Sequence, residues 1–158
     1  MRKYIFFIFL FLLFSGCASK SNVKPNLSDY LTPFDGLNYD NVTVRKEGHT
    51  IYVKARYSEI DGEDIYVFVD ENGTLVLKSY CLEAIPENVK LEAIEIALSN
   101  ETIAKNAKGI VTVRRILPQT AEKFYEPKEL LSVTWHGTKV VSALIDLEER
   151  RVVSVYVS

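Results

Sequence analysis

Eight short runs of alternating or continuous apolar residues, each closed by a turn signal, and a single stretch long enough for a principal helix constrain this chain more than any other feature. In TIYVKARY, Ile51, Val53, Ala55 and Tyr57 alternate with Thr50, Tyr52, Lys54 and Arg56. That period of two belongs to a strand with one wetter face. Val42-Thr43-Val44 precedes it across Lys46-Glu47-Gly48-His49, and Ile60-Asp61-Gly62-Glu63 turns the chain again. Ile65 to Val69 is apolar on both faces and reads as a central strand; Glu71-Asn72-Gly73 then leads into Leu75 to Tyr80. Four strands joined by tight turns form a meander.

The helical signal follows. Pro86 ends the strands, Asn88 is the candidate cap, and VKLEAIEIAL places Leu91, Ile94 and Leu98 on one face with Ala97 beside them. ETIAKNAK reads as a second short helix with Ile103, Ala104 and Ala107 inward and Gly109 closing it. Strand signals return at Ile110 to Ile116, Leu130 to Trp135, Val140 to Ile145 and Val152 to Val157. The expected fold class is α+β: an antiparallel β-sheet meander with one principal helix packed on a sheet face, the strands forming either one sheet or two. IYVFVDENGTLVLKSY and VVSALIDLEERRVVSVYV superpose when Asp70 is laid on Asp146. Three identities in a hairpin lie within chance, so no duplication is inferred from them.

The N-terminus fixes the expected location. Arg2 and Lys3 precede an apolar run from Tyr4 to Phe14, followed by Ser15, Gly16 and Cys17. A run this short suits a signal peptide better than a bilayer span. The segment resembles a lipoprotein signal peptide, which implies cleavage before Cys17 and a lipid on that cysteine. The expected organisation is therefore 1–16 signal peptide, 17–36 lipid-anchored tether, 37–86 N-terminal β-meander and 87–158 a mixed α+β region. Within the tether, Leu27 to Gly36 offers one short helical turn through which Tyr30 and Phe34 would pack down. The expected location is the cell envelope, outside the cytoplasm, on a membrane. Losing Arg2 and Lys3 takes two from the 19 basic residues against 21 acidic ones, moving the formal charge from −2 to −4. An acidic domain is a poor match for nucleic acid, which is bound by neutralising phosphates.

The candidate chemistry is sparse. With Cys17 lipidated, Cys81 has no disulfide partner and reads as a buried thiol. His49 and His136 fall in turns, and no paired acid and base stands at readable spacing. No enzymatic activity, cofactor or metal site is expected. Asp61, Glu63, Asp64, Asp70 and Glu71 cluster on two turns, but their spacing is not that of a calcium loop, and solvated turns are the simpler account. Asp146, Glu148 and Glu149 beside Arg150 and Arg151 read as a charged hairpin tip that discourages edge pairing. Arg114 and Arg115 point to opposite faces of their strand and form no common patch.

Four of the eight asparagines, Asn26, Asn41, Asn72 and Asn100, stand in the N-x-[ST] pattern and are candidate glycosylation sites on an exported chain. Trp135 shares a strand face with Leu131 and Val133 and belongs in the core. Phe124 and Tyr125 lie in LPQTAEKFYEPKE, a connection longer than a hairpin needs, and are the candidate partner-binding aromatics.

From about Lys90 to Val157 the chain resembles the PepSY family. EAIEIAL matches the Ala-rich opening helix, Val141 to Asp146 the penultimate V-x-x-x-I-D strand, and VVSVYV the closing strand. The family's Thr-Gly turn is replaced here by Leu147-Glu148-Glu149-Arg150-Arg151. The resemblance implies a non-enzymatic protein-interaction module whose tasks include restraining a secreted peptidase. The alternative expectation is an envelope domain that binds a small molecule or metal ion.

Overall fold

A computed structural model of the chain describes residues 26–124 and 126–158. The expected signal peptide 1–16, the expected lipidation site Cys17, the expected tether as far as residue 25, and Tyr125 lie outside the described residues.

The strands form two antiparallel sheets of four, each in simple sequential order. The first holds β1 (Asn41–Glu47), β2 (Thr50–Arg56), β3 (Asp64–Glu71) and β4 (Thr74–Leu82). The helices α1 (Glu87–Leu98) and α2 (Glu101–Asn106) follow. The second sheet holds β5 (Ile110–Ile116), β6 (Leu130–His136), β7 (Val140–Asp146) and β8 (Arg151–Val157). Between β5 and β6 the long connection folds into α3 (Pro118–Ala121) and one 3₁₀ turn, Glu122–Phe124. The two sheets meet where β4 touches β5: the Tyr80 hydroxyl accepts the Leu117 amide at 3.0 Å, and Arg114 Nε lies 2.7 Å from Glu83.

Each sheet buries one face, and the two faces are covered differently. On the second, Ala93, Ile96 and Ala97 of α1 and Ile103 of α2 share a buried cluster with Val113, Val133, Trp135, Val141 and Ala143. The helix face differs from the one its leucines suggest, for Leu91 is 57% exposed and Leu98 42%. Alanines at 93 and 97, one turn apart, let the helix backbone approach the strands closely, and Ile96 fills the space between them. Asn88 does not cap α1; Pro86 occupies the N-cap position and its carbonyl accepts the Val89 and Lys90 amides, each at 3.0 Å. Asn100 does cap α2, its side chain accepting from Thr102 and Ile103. Ala104 is exposed, leaving Ile103 as the buried residue of that helix.

On the first sheet, Val53, Tyr66, Phe68 and Leu82 are covered by an irregular strap, 26–40, through Leu27, Tyr30, Leu31 and Tyr39. The strap carries two 3₁₀ turns, Leu27–Tyr30 and Phe34–Gly36. Phe34 itself packs against the core of the second sheet, so the strap spans the junction.

The resemblance between the third and fourth strands of each sheet extends to their turns. The Asp70 Oδ1 accepts the Gly73 amide at 2.8 Å, and the Asp146 Oδ1 accepts the Glu149 amide at 3.1 Å.

Candidate functional site

The strap is bound at Thr32–Phe34, where its backbone is satisfied by side chains far away in sequence. Alternation along β5 puts Arg115 on the same face as Val113, so the guanidinium enters the interior and is 1% exposed. It grips Glu129 with Nε to Oε1 at 2.8 Å and Nη2 to Oε2 at 2.7 Å. Nη1 donates to the Thr32 carbonyl at 2.9 Å and Nη2 to that of Pro33 at 3.2 Å. The guanidinium lies 5.5 Å from the Phe34 ring centroid and 3.6 Å from Asp64. A planar fork with five donors suits such a junction, and a lysine could not reproduce it.

The first sheet supplies the other half. Asp64, fully buried, accepts the Tyr39 hydroxyl at 2.6 Å and the Ala84 amide at 2.9 Å. The Tyr66 hydroxyl lies 2.7 Å from that of Tyr39 and accepts the Thr32 amide at 3.2 Å. The Tyr57 hydroxyl accepts the Phe34 amide at 2.6 Å. Burial pushes the Tyr39, Tyr57 and Tyr66 hydroxyls upward, Tyr66 to about 12. It also raises the Asp64 carboxyl, outweighing the hydrogen bonds and the nearby Arg115 that favour the anion. For Arg115 burial acts downward, but Glu129 and Asp64 prevail and the guanidinium is held firmly charged.

Beside this junction a cleft of about 650 Å³ opens between the strap and the ends of β6 and β7. Phe34, Val89, Leu131, Ile145 and Leu147 give it apolar walls; Asp35, Lys128, Asp146 and Glu148 are its charged groups away from the Arg115–Glu129 pair. Asp146 is 1% exposed, so it is no part of a solvated hairpin tip, as its neighbours suggested. Its Oδ2 has the Lys128 ammonium at 2.7 Å and Arg151 at 3.5 Å, but no well-aligned hydrogen bond among the described residues. Burial alone would raise this carboxyl; Lys128, the Glu149 amide and Arg151 together hold it below the usual range.

The residues singled out from the sequence are dispersed. Phe124 is half-buried against Ala121, Leu130 and Leu144, its ring edge-on to Tyr156 at 6.3 Å. Trp135 is in the core. Cys81 is half-buried, and burial raises its thiol. His49 lies in the β1–β2 turn, and His136 ends β6 with Nε2 3.1 Å from the Thr112 hydroxyl.

The acidic turns do not converge: Glu63 pairs with Lys54 and Arg56, Asp70 with Lys46, Glu71 with Lys78, and Asp64 faces inward. Asn26 precedes the first 3₁₀ turn, Asn41 opens β1 in solvent, and Asn72 sits at φ +56° beside Gly73, while the side chain of Asn100 is engaged as a cap. Arg115 and Asp64 carry the junction: Asp64, expected in a solvated turn, is fully buried, and Arg115, weighed only as half of a basic pair with Arg114, turns inward. The available signal was that each continues an inward alternation, Val113 to Arg115 and Phe68, Tyr66 to Asp64. No family model, no curated protein and no solved structure matches the chain.

Proposed function

We propose that this chain is a non-enzymatic protein-interaction module of the cell envelope, held on the membrane by a lipid on Cys17. In this reading the second half is a PepSY-like unit, one principal helix laid on a sheet face, and its task includes restraining a secreted peptidase. The observation that carries the reading is the cleft. It is concave and largely apolar, and it borders a junction whose buried Arg115 and Asp64 are committed to each other and to the strap. A preformed recess with a few charged groups is the usual form of a recognition site. Crosslinking the full chain in its own cells, followed by mass spectrometry, tests the reading. Enrichment of one extracytoplasmic protein, a peptidase above all, supports it; capture no different from that of an unrelated envelope lipoprotein overturns it.

The size of the same cleft favours a second reading, an envelope domain that binds a small molecule, since such ligands occupy recesses of about 300–1,000 Å³. That reading requires a ligand-dependent rise in melting temperature.

A further inference from the structure

The cleft holds an unusual pair. Asp146 is buried, and among the described residues its Oδ2, although 2.7 Å from the Lys128 ammonium, accepts no well-aligned hydrogen bond. The nearest cation among the described residues, Lys128, comes from the irregular connection before β6, and its side chain is 28% exposed. Lys128 also lies 3.4 Å from Glu149 and 3.8 Å from Glu148, so one ammonium is shared among three carboxylates. Arg151, the other cation nearby, is bound to Glu126 at 2.9 Å and to Glu149 at 2.5 Å. Setting aside the saturated Arg115–Glu129 pair, Asp35, Asp146 and Glu148 face one base among the described lining residues, Lys128. The lining therefore carries surplus negative charge over apolar walls formed by Phe34, Val89, Ile145 and Leu147.

We propose that this cleft takes a cationic side chain, an arginine flanked by apolar residues in a partner polypeptide, and that Lys128 is its internal stand-in. The arriving guanidinium displaces the Lys128 ammonium and gives Asp146 Oδ2 the aligned donors it lacks, while the flanking residues cover the apolar walls. Release of Lys128 into water, where Glu148 and Glu149 remain beside it, keeps the exchange inexpensive. The site rests on the protein-interaction reading and gives its partner a chemistry.

The test uses the full chain in detergent micelles and three blocked tripeptides, acetyl-Leu-X-Leu-amide with X arginine, norleucine or glutamate. The arginine peptide is expected to bind about tenfold or more tightly than the norleucine one, and the glutamate peptide weakest. Asp146→Asn, which keeps an Oδ1 acceptor for the Glu149 amide, erases the preference. Lys128→Met removes the competitor and tightens the arginine peptide several-fold, on the order of the exposed-to-buried change in an ion pair. Because Lys128 is partly exposed, this variant carries the test even if Asp146→Asn unfolds.

Equal binding of the arginine and norleucine peptides, or weaker arginine binding by Lys128→Met, overturns the proposal. Crosslinking separates this failure from that of the broader reading. A partner captured equally by the native chain and by Asp146→Asn removes the cleft but leaves the interaction function. Arginine preference without a captured partner does the reverse.

Discussion

The two sheets have the same strand order and pairing, yet one shares its buried core with side chains of α1 and α2 and the other with an irregular strap. A helix satisfies its own backbone and brings only side chains to its neighbours, so the core shared by the helices and the second sheet is apolar. A strap brings unpaired amides and carbonyls, and the first sheet must supply partners for them. It does so with the hydroxyls of Tyr57 and Tyr66, while β5 lends Arg115. An irregular cover thus requires a buried polar network, and that network makes one half of the molecule sensitive to pH and to single side-chain losses.

The largest expected effect tests that dependence. Arg115→Met should cost about 3–5 kcal/mol, because it leaves Asp64 buried without a cation and the Thr32 and Pro33 carbonyls without donors. Urea unfolding measures it, and a loss below about 1 kcal/mol would mean the strap is held by apolar contact alone. On the helix side, Ile96→Ala should cost about 2–5 kcal/mol by emptying the space between Ala93 and Ala97. An equal loss from the exposed Leu98→Ala would break the assignment of the helix face.

Alkaline titration separates the halves next. Unfolded tyrosine ionises near 10, whereas folded Tyr66 keeps its proton to about 12. Its contribution is whole below pH 10 and is lost between 10 and 12, a change of about 2–3 kcal/mol. Tyr66→Phe should make the stability profile shallower over that window, leaving the slope that the raised Tyr39 and Tyr57 contribute, measured by unfolding at a series of pH values. The smallest effect is the most specific. Asp64 titrates above its unfolded value, so its contribution is present below that value and fades as pH rises through the folded one. Asp146 titrates below, so its contribution is present above the unfolded value and is lost as pH falls through the folded one. Carboxyl NMR titration should show the two shifts with opposite signs; shifts of the same sign would show that strap and cleft are not electrically distinct.

What could be read from the chain follows the same division. The strands were legible because a period of two is a direct consequence of the pleat, and β5 begins and ends where Ile110 and Ile116 indicate. The face of α1 was not, because hydrophobicity ranks Leu91 and Leu98 above Ala93 and Ala97, while packing distance ranks them the other way. The strap was not legible either. Its conformation is set by Arg115, Tyr57 and Tyr66, and no local pattern in Leu27 to Tyr39 names residues so far along the chain. For the cleft, the charged cluster was visible but its burial was not: the β7–β8 turn exposes Glu148 and Glu149 and hides Asp146.

The span of the strap's contacts also orders events in time. Thr32 meets Arg115 across 83 residues, and Tyr66 of β3 and Tyr57 just past β2 must already be in place to meet Thr32 and Phe34. Contacts closed over such long loops form late, after the local hairpins have paid their own entropy. The strap, made before either sheet, is therefore expected to dock last. Until both sheets are formed it has no complete binding surface, so its closure marks a chain whose two halves have each folded correctly.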